Sequence, residues 1–166
     1  FINHFNNKNK LIANKDNKSR IIIKKFDDIN KENIFIYKII SYLNKEKPLK
    51  NILITARNEK RLYYIKNYLS KKILNYYDLN IMTLHQTKGL EFDTVIMNGL
   101  EKDEFPSLEN NTLKEYLDEK RLFYVGISRA RENLFLLTSK IINNKIYAPS
   151  IFYKLGVFHN KENPSI

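Results

Sequence analysis

Short apolar runs separated by polar segments follow one another through most of the chain. Residues 20–26 alternate around three isoleucines, and residues 51–55 form a second run, so each is predicted to be a strand. Residues 80–83, 94–97 and 133–138 continue the series. Runs of this length, bounded by polar turns, are typical of strands buried in a parallel sheet.

Helical spacing fills the gaps between these strands. From Lys31 the apolar positions recur with a period of about 3.6 and stop before Pro48, where a helix is expected to end. A second helix is predicted to follow Arg57 and Asn58, with Asn58 a candidate N-cap. A third is predicted over residues 118–129. This alternation indicates an α/β domain with three layers around a mainly parallel sheet.

The division of the chain follows from the same pattern. Residues 1–140 are predicted to form one domain, and residues 141–166 a C-terminal extension whose packing is undecided. The chain starts at Phe1 rather than at a methionine, so we expect it to be a piece of a larger protein.

Composition narrows the partners without fixing them. The net charge is +11 and the pI is near 9.6, and such an excess favours a polyanion, most often nucleic acid. The chain is also crowded with lysine, asparagine and isoleucine, as AT-rich coding DNA produces. Charge alone therefore leaves binding and background composition open in equal measure.

Other classes are set aside by what the sequence lacks. It has no cysteine, which fits a reducing, cytoplasmic location. No apolar run approaches the roughly 20 residues of a membrane helix. The histidines at positions 4, 85 and 159 lack ligand spacing, so no metal site is predicted.

The chemistry concentrates in residues 83–92, between two apolar runs. This polar stretch carries the hydroxyl of Thr83, the imidazole of His85, the ammonium of Lys88 and the carboxylate of Glu91. A plain connector has no need of that density of functional groups. The stretch is therefore predicted to be a working loop at the edge of the sheet.

Two ordered motifs make the sequence resemble a known family. Residues 83–92 fit T-x-H-x-x-K-G-L-E-F, which is motif V of superfamily 1 DNA helicases of the UvrD/Rep/PcrA type, and residues 118–131 resemble their motif VI. Between them, residues 99–107 match the family's G-L-E and F-P-S elements. The resemblance implies the second RecA-like domain of the helicase core, called 2A, with a P-loop NTPase-like fold.

The resemblance also implies a nucleotide site. Arg129 would act as an arginine finger on the γ-phosphate of ATP, which is bound mainly by the other RecA-like domain. Glu91 would accept a hydrogen bond from the ATP ribose, and Gly89 would let the backbone approach the nucleotide. From the residues alone, Arg129 could instead form a surface salt bridge with Glu132, and Glu91 could satisfy a helix N-terminus.

Further roles follow from the same resemblance. Thr83, His85 and Lys88 would meet the backbone of single-stranded DNA. Arg57 is a candidate for two roles, contact with a DNA phosphate or capping of the following helix. Arg121 would couple the ATP site to the DNA side. Tyr124 is expected to pack rather than to stack on a base.

The chain departs from the family in what it does not contain. It has no G-x-x-x-x-G-K-[ST] loop and no Walker B strand, so the ligands for Mg²⁺ are expected in an N-terminal domain outside the sequence. Only residues 71–78 stand where typical members insert a helical 2B domain. The chain alone is therefore predicted neither to hydrolyse ATP nor to unwind DNA.

The predicted function is the C-terminal motor domain of an ATP-dependent 3′-to-5′ DNA helicase. Its partners would be single-stranded DNA, junctions between single- and double-stranded DNA, and the N-terminal RecA-like domain of the same protein, with no membrane. One alternative is a degenerate helicase-like module that binds nucleic acid or a partner without ATPase activity. Others are a motor joined to a nuclease and, least favoured, a protein that binds RNA by charge.

Overall fold

A computed structural model of the chain describes residues 20–45, 48–107, 109 and 112–154. Three predictions lie outside the described residues: the end of a helix within residues 1–13, a turn at residues 14–19 and a frayed tail at residues 160–166. The strands are β1 (Arg20–Asp28), β2 (Ile52–Ala56), β3 (Asn80–Thr83), β4 (Phe92–Met97), β5 (Ala130–Ile142) and β6 (Lys145–Ile146). The helices are α1 (Ile29–Leu43), α2 (Glu59–Leu69) and α3 (Leu113–Ile127).

The strands form one six-stranded sheet in the order β1-β5-β4-β2-β3, with β6 beside β5. Every pair along that path is parallel, and only β5 and β6 pair antiparallel. The predicted mainly parallel sheet is confirmed. All five long strands therefore begin at one edge of the sheet, the amino edge, and end at the other, the carboxyl edge.

Helices cover both faces of the sheet, as the three-layer prediction requires. On one face Ile36 of α1 and Leu62 and Ile65 of α2 are fully buried against the strands. On the other face Phe123 of α3 stacks on Phe152, with ring centroids 4.8 Å apart. Burial of such apolar side chains contributes about 1.5–3 kcal/mol each, so these two clusters are the main source of stability.

The third helix begins earlier than the pattern predicted. Thr112 accepts a hydrogen bond from the Glu115 backbone N–H, and Glu115 accepts one from the Thr112 N–H. This reciprocal capping box starts α3 at Leu113 rather than at residue 118. Arg129 consequently lies just beyond the helix, which ends at Ile127 with Ser128 as its C-cap.

The strand predicted at residues 133–138 is longer than expected. β5 runs to Ile142, so the predicted division at residue 140 falls inside a strand. Beyond the β5–β6 hairpin the Ser150 N–H donates to the Leu100 carbonyl oxygen at 2.9 Å, and Phe152 is fully buried. The first part of the predicted extension therefore packs on the same core as the rest of the domain.

A buried ionic network joins elements far apart in sequence. Nη2 of Arg61 donates to both carboxylate oxygens of Glu32 at 2.8–2.9 Å, and its Nε donates to Glu101 at 3.3 Å. The Ser139 N–H donates to Glu101 at 2.7 Å, and the Ser139 hydroxyl donates to Glu32. All three charged side chains are almost completely buried. The G-L-E element is thereby tied to α1, α2 and β5.

Candidate functional site

The starts of β4 and β5 bring two predicted site residues together. These strands are neighbours, with Phe92 paired to Ala130, so the preceding residues Glu91 and Arg129 lie side by side at the amino edge. The Phe92 N–H donates to the Arg129 carbonyl oxygen at 2.9 Å. The parallel pairing therefore places the motif V carboxylate and the motif VI guanidinium on the same edge.

The Arg129 side chain is half-buried and held by hydrogen bonds. Its Nη1 donates to the Leu90 carbonyl oxygen at 2.9 Å, and its Nε donates to the Val125 carbonyl oxygen at 2.9 Å. Its Nη2 donates to the Ser128 hydroxyl at 3.0 Å. These neutral acceptors fix the direction of the guanidinium, and each terminal nitrogen keeps a second N–H for an external acceptor.

Glu91 is exposed and belongs to a short chain of charges. Nε of Arg131 donates to its carboxylate at 3.1 Å, and Nη1 of Arg131 lies 3.9 Å from Asp93. The Asn51 amide donates to the other Asp93 oxygen at 3.0 Å. Glu91 precedes a strand rather than a helix, so the alternative that it satisfies a helix N-terminus is wrong.

Gly89 adopts a positive φ of 81°. A side chain there would be strained, because L-residues with a Cβ rarely adopt the left-handed region. A Cβ built at Gly89 meets no atom within 4 Å. The backbone therefore faces open space, and a ligand can approach it closely.

The residues predicted to meet DNA occupy the other end of the same loop. β3 ends at the carboxyl edge with Thr83, whose N–H and hydroxyl both donate to the Gln86 side-chain oxygen, at 2.8 and 3.0 Å. In the 3-10 turn Leu84–Thr87, His85 is exposed, and the following Lys88 is exposed as well. The loop then returns to the amino edge at Glu91. One loop thus connects both edges of the sheet.

Arg57 directly follows β2 at the carboxyl edge and has a partner within the domain. Its Nε donates to both oxygens of Glu119 at 2.9 Å, and the Ser107 N–H donates to the same carboxylate at 2.9 Å. Asn58 accepts from the Arg61 N–H at 2.9 Å and caps α2, so its predicted capping role is confirmed. The structural role of Glu119 was missed, although it is the second acid of the motif VI signature.

The predicted coupling residue Arg121 is exposed and donates to Asp118 on its own helix at 2.7 Å. A packing contact provides a more direct link between the two motifs. A Cβ at Gly126 would come within 2.3 Å of Cδ2 of Leu84 and 2.5 Å of Cε of Met97. The absence of that side chain lets the motif V turn lie against α3.

The described residues contain neither a metal-binding cluster nor a membrane-spanning helix. No group of three His, Cys, Asp or Glu side chains there is arranged to hold a metal ion. No helix in the described part of the chain combines the length and apolar character needed to cross a bilayer.

The chemistry of the amino edge fits one side of a nucleotide pocket. Arg129 offers oriented cationic donors suited to phosphate oxygens, Glu91 offers an exposed acceptor suited to hydroxyl groups, and Gly89 leaves space beside them. The mainly parallel α/β fold that carries this edge is that of a helicase C-terminal domain. Residues 71–141 match the profile of the UvrD-like helicase C-terminal domain, and this segment belongs to that family.

Named relatives agree with this assignment. The chain is 38% identical to a probable DNA helicase II homolog of Mycoplasma pneumoniae over 133 residues, which are 78% of the chain and 17% of that relative. It is 39% identical to the ATP-dependent DNA helicase Rep of Buchnera aphidicola, over 60% of the chain and 14% of Rep. It is 44% identical to the ATP-dependent DNA helicase PcrA of Bacillus subtilis, over 38% of the chain and 9% of PcrA. The matches thus span under a fifth of each relative.

A solved structure supports the fold. The C-terminal domain of a possible DNA helicase from Lactobacillus plantarum superposes with a TM-score of 0.55 at 16% identity, covering 82% of this chain and 79% of that domain. At this identity the likeness concerns the fold alone.

Proposed function

We propose that this chain is the C-terminal motor domain of an ATP-dependent 3′-to-5′ DNA helicase. The observation that carries the proposal is the loop between Thr83 and Glu91. At one end it lies beside Arg129, through the bond from Arg129 to the Leu90 carbonyl oxygen, and at the other end it presents polar side chains. A change at the nucleotide edge is thereby transmitted along one short segment to a nucleic-acid grip.

On the nucleotide side, Arg129 is the proposed arginine finger. ATP held mainly by the N-terminal RecA-like domain supplies a γ-phosphoryl group whose transfer concentrates negative charge on its oxygens. Arg129 donates to those oxygens from the N–H groups that its internal bonds leave available. Glu91 accepts from a ribose hydroxyl, and the open backbone at Gly89 lets the sugar lie close.

The residues present fit ATP but not its metal ion. The sequence contains neither a G-x-x-x-x-G-K-[ST] loop nor a Walker B strand, so the Mg²⁺ ligands are assigned to the N-terminal domain. For the same reason we expect the 166-residue chain by itself to show no DNA-stimulated ATPase activity.

On the DNA side, Thr83, His85 and Lys88 are the proposed contacts to the phosphate backbone of single-stranded DNA. Hydroxyl, imidazole and ammonium groups bind phosphate and position a strand without reading its sequence. Support for Arg57 is weaker, because its guanidinium is bound to Glu119 and a DNA contact would compete with that pair. Arg121 is exposed and available for coupling in the assembled motor.

The test uses the intact protein that carries this chain. Arg129→Ala should lower ATP turnover about a thousand-fold or more while leaving the affinity for single-stranded DNA within twofold of wild type. Arg129→Lys keeps the charge without the planar fork and should recover only part of the loss. Turnover that survives Arg129→Ala would overturn the proposed role. A wild-type protein that binds DNA without hydrolysing ATP would instead favour the degenerate module.

A further inference from the structure

A local irregularity in the sheet lies directly beside the proposed nucleotide edge. β4 and β5 pair at Phe92 with Ala130 and next at Thr94 with Asn133. Asp93 alone therefore stands opposite two residues of β5, Arg131 and Glu132, which is the pattern of a β-bulge. Bulges redirect a side chain from its regular alternation and are frequent beside active sites.

Arg131 is one of the two β5 residues in the bulge, and its contacts are specific. It lies between the two acids that flank Phe92, with Nε 3.1 Å from Glu91 and Nη1 3.9 Å from Asp93. Asp93 is held in turn by the Asn51 amide at 3.0 Å. The carboxylate of Glu91 is thus connected through Arg131 to an anchored residue next to β2.

Without that contact Glu91 would have little to orient it. Its side chain is 57% exposed and follows the turn that contains Gly89. Fixing the direction of a carboxylate before a ligand arrives reduces the ordering cost of binding. Arg131 contacts one oxygen of Glu91 and leaves the second available to a hydroxyl group.

We propose that Arg131, at the bulge in β5, is a positioning residue that holds Glu91 ready to accept a hydrogen bond from the nucleotide ribose. The proposal rests on the proposed function, and it adds a determinant of sugar recognition outside the motif V signature. The Arg131 guanidinium is engaged by the carboxylates of Glu91 and Asp93. Its effect is therefore on nucleotide affinity and sugar selectivity rather than on the transfer step.

The experiment compares variants of the intact protein in steady-state ATPase assays with ATP, 2′-deoxy-ATP and 3′-deoxy-ATP. Because the ion pair is exposed, Arg131→Ala should raise KM for ATP only about two- to fivefold. Its effect on kcat should be smaller than the fall in kcat caused by Arg129→Ala. Arg131→Ala should also reduce the ratio of kcat/KM for ATP to kcat/KM for at least one of the two deoxynucleotides. Arg131→Lys should restore part of the affinity for ATP. The double variant Glu91→Gln with Arg131→Ala should have a KM for ATP no higher than that of Glu91→Gln alone.

A matched control is the cation of another exposed ion pair. Lys66 lies 3.0 Å from Glu59 on α2, and Lys66→Ala should leave KM and sugar preference unchanged. If Glu91→Gln raises KM and Arg131→Ala does not, this inference is overturned and the proposed function stands. If Arg131→Ala lowers kcat as much as Arg129→Ala, Arg131 acts on the phosphates and the positioning role is wrong. If neither Glu91→Gln nor Arg129→Ala has an effect, the proposed function itself fails.

Discussion

The guanidinium of Arg57 lies against both carboxylate oxygens of Glu119, with Nε 2.9 Å from each and Nη2 2.8 Å from one of them. This pair joins the turn before α2 to the middle of α3, on opposite faces of the sheet. It gives Arg57 a structural role that competes with its proposed contact to DNA.

Arg57→Ala should therefore destabilise the chain. Glu119 is only 9% exposed in its side chain and would lose its charge partner, which costs about 1–3 kcal/mol in the free energy of unfolding. Urea titration of the 166-residue chain measures that loss. Lys66→Ala, which breaks an exposed ion pair, should cost no more than about 1 kcal/mol. If Arg57→Ala left the chain stable but weakened DNA binding of the intact protein, Arg57 would act as a DNA contact rather than as a structural residue.

The buried network around Arg61 predicts a larger effect. Arg61→Met leaves Glu32 and Glu101 without their cation and should lower the free energy of unfolding by about 3–5 kcal/mol. Glu32→Gln should cost much less, because Glu101 still pairs with Arg61. Thermal and urea unfolding of both variants would compare these costs. Equal losses in the two variants would show that packing rather than charge sets the stability here.

The same network predicts a pH dependence. Burial raises the pKa of Glu32 above its ordinary value of 4.5 and outweighs the opposing effect of Arg61. The folded state then holds this proton more tightly than the unfolded chain does, so the contribution of Glu32 to stability falls as pH rises from 4.5 through the raised pKa. Glu32→Gln has no such proton. Its stability relative to wild type should therefore increase over that range, and a difference that stays constant with pH would contradict this.

Two glycines offer a matched comparison. Gly89 and Gly99 have nearly the same positive φ, 81° and 83°, but a Cβ at Gly99 would come within 2.7 Å of Cγ of Arg61 while one at Gly89 meets nothing. Gly89→Ala should cost about 1–2 kcal/mol from backbone strain alone. Gly99→Ala should cost more, because it also displaces the buried Arg61. Urea unfolding would give both values, and equal costs would mean that Arg61 adjusts freely.

The DNA grip can be tested by salt dependence in the intact protein. Each phosphate contact contributes about 0.7 to the slope of log affinity against log salt concentration for single strands. Lys88→Ala should lower the slope by about that amount for any sequence of single-stranded DNA. Lys114→Ala, an exposed lysine near the start of α3, should leave the slope unchanged. An unchanged slope for Lys88→Ala would place the strand elsewhere.

The strands and first two helices followed from local patterns. Apolar runs predicted β2 and β3 closely because burial of those side chains is decided within a few residues. The start of α3 is also determined locally, by the capping box of Thr112 and Glu115, but the helical pattern alone does not reveal it. β5 extends beyond its predicted end, because its last residues pair with β1 and with β6 rather than belonging to an apolar run.

The candidate site was only partly predictable. The proximity of Glu91 and Arg129 follows from adjacent parallel strands, which the motifs implied. The contacts of Arg131 with Glu91 and Asp93 cross between neighbouring strands, and the network of Glu32, Arg61 and Glu101 joins charges distant in sequence. No local sequence spacing predicts such contacts. They can be identified only when the order of the strands in the sheet is known.

The connection between α2 and β3 has a consequence for how proteins of this kind are built. It leads into an edge strand, and Leu74 within it is 98% exposed. A polypeptide inserted at this point would project from the edge of the domain without interrupting any hydrogen-bonded strand pair of the sheet. Chimeras that carry a foreign module or a fluorescent reporter here should keep the remaining architecture undisturbed.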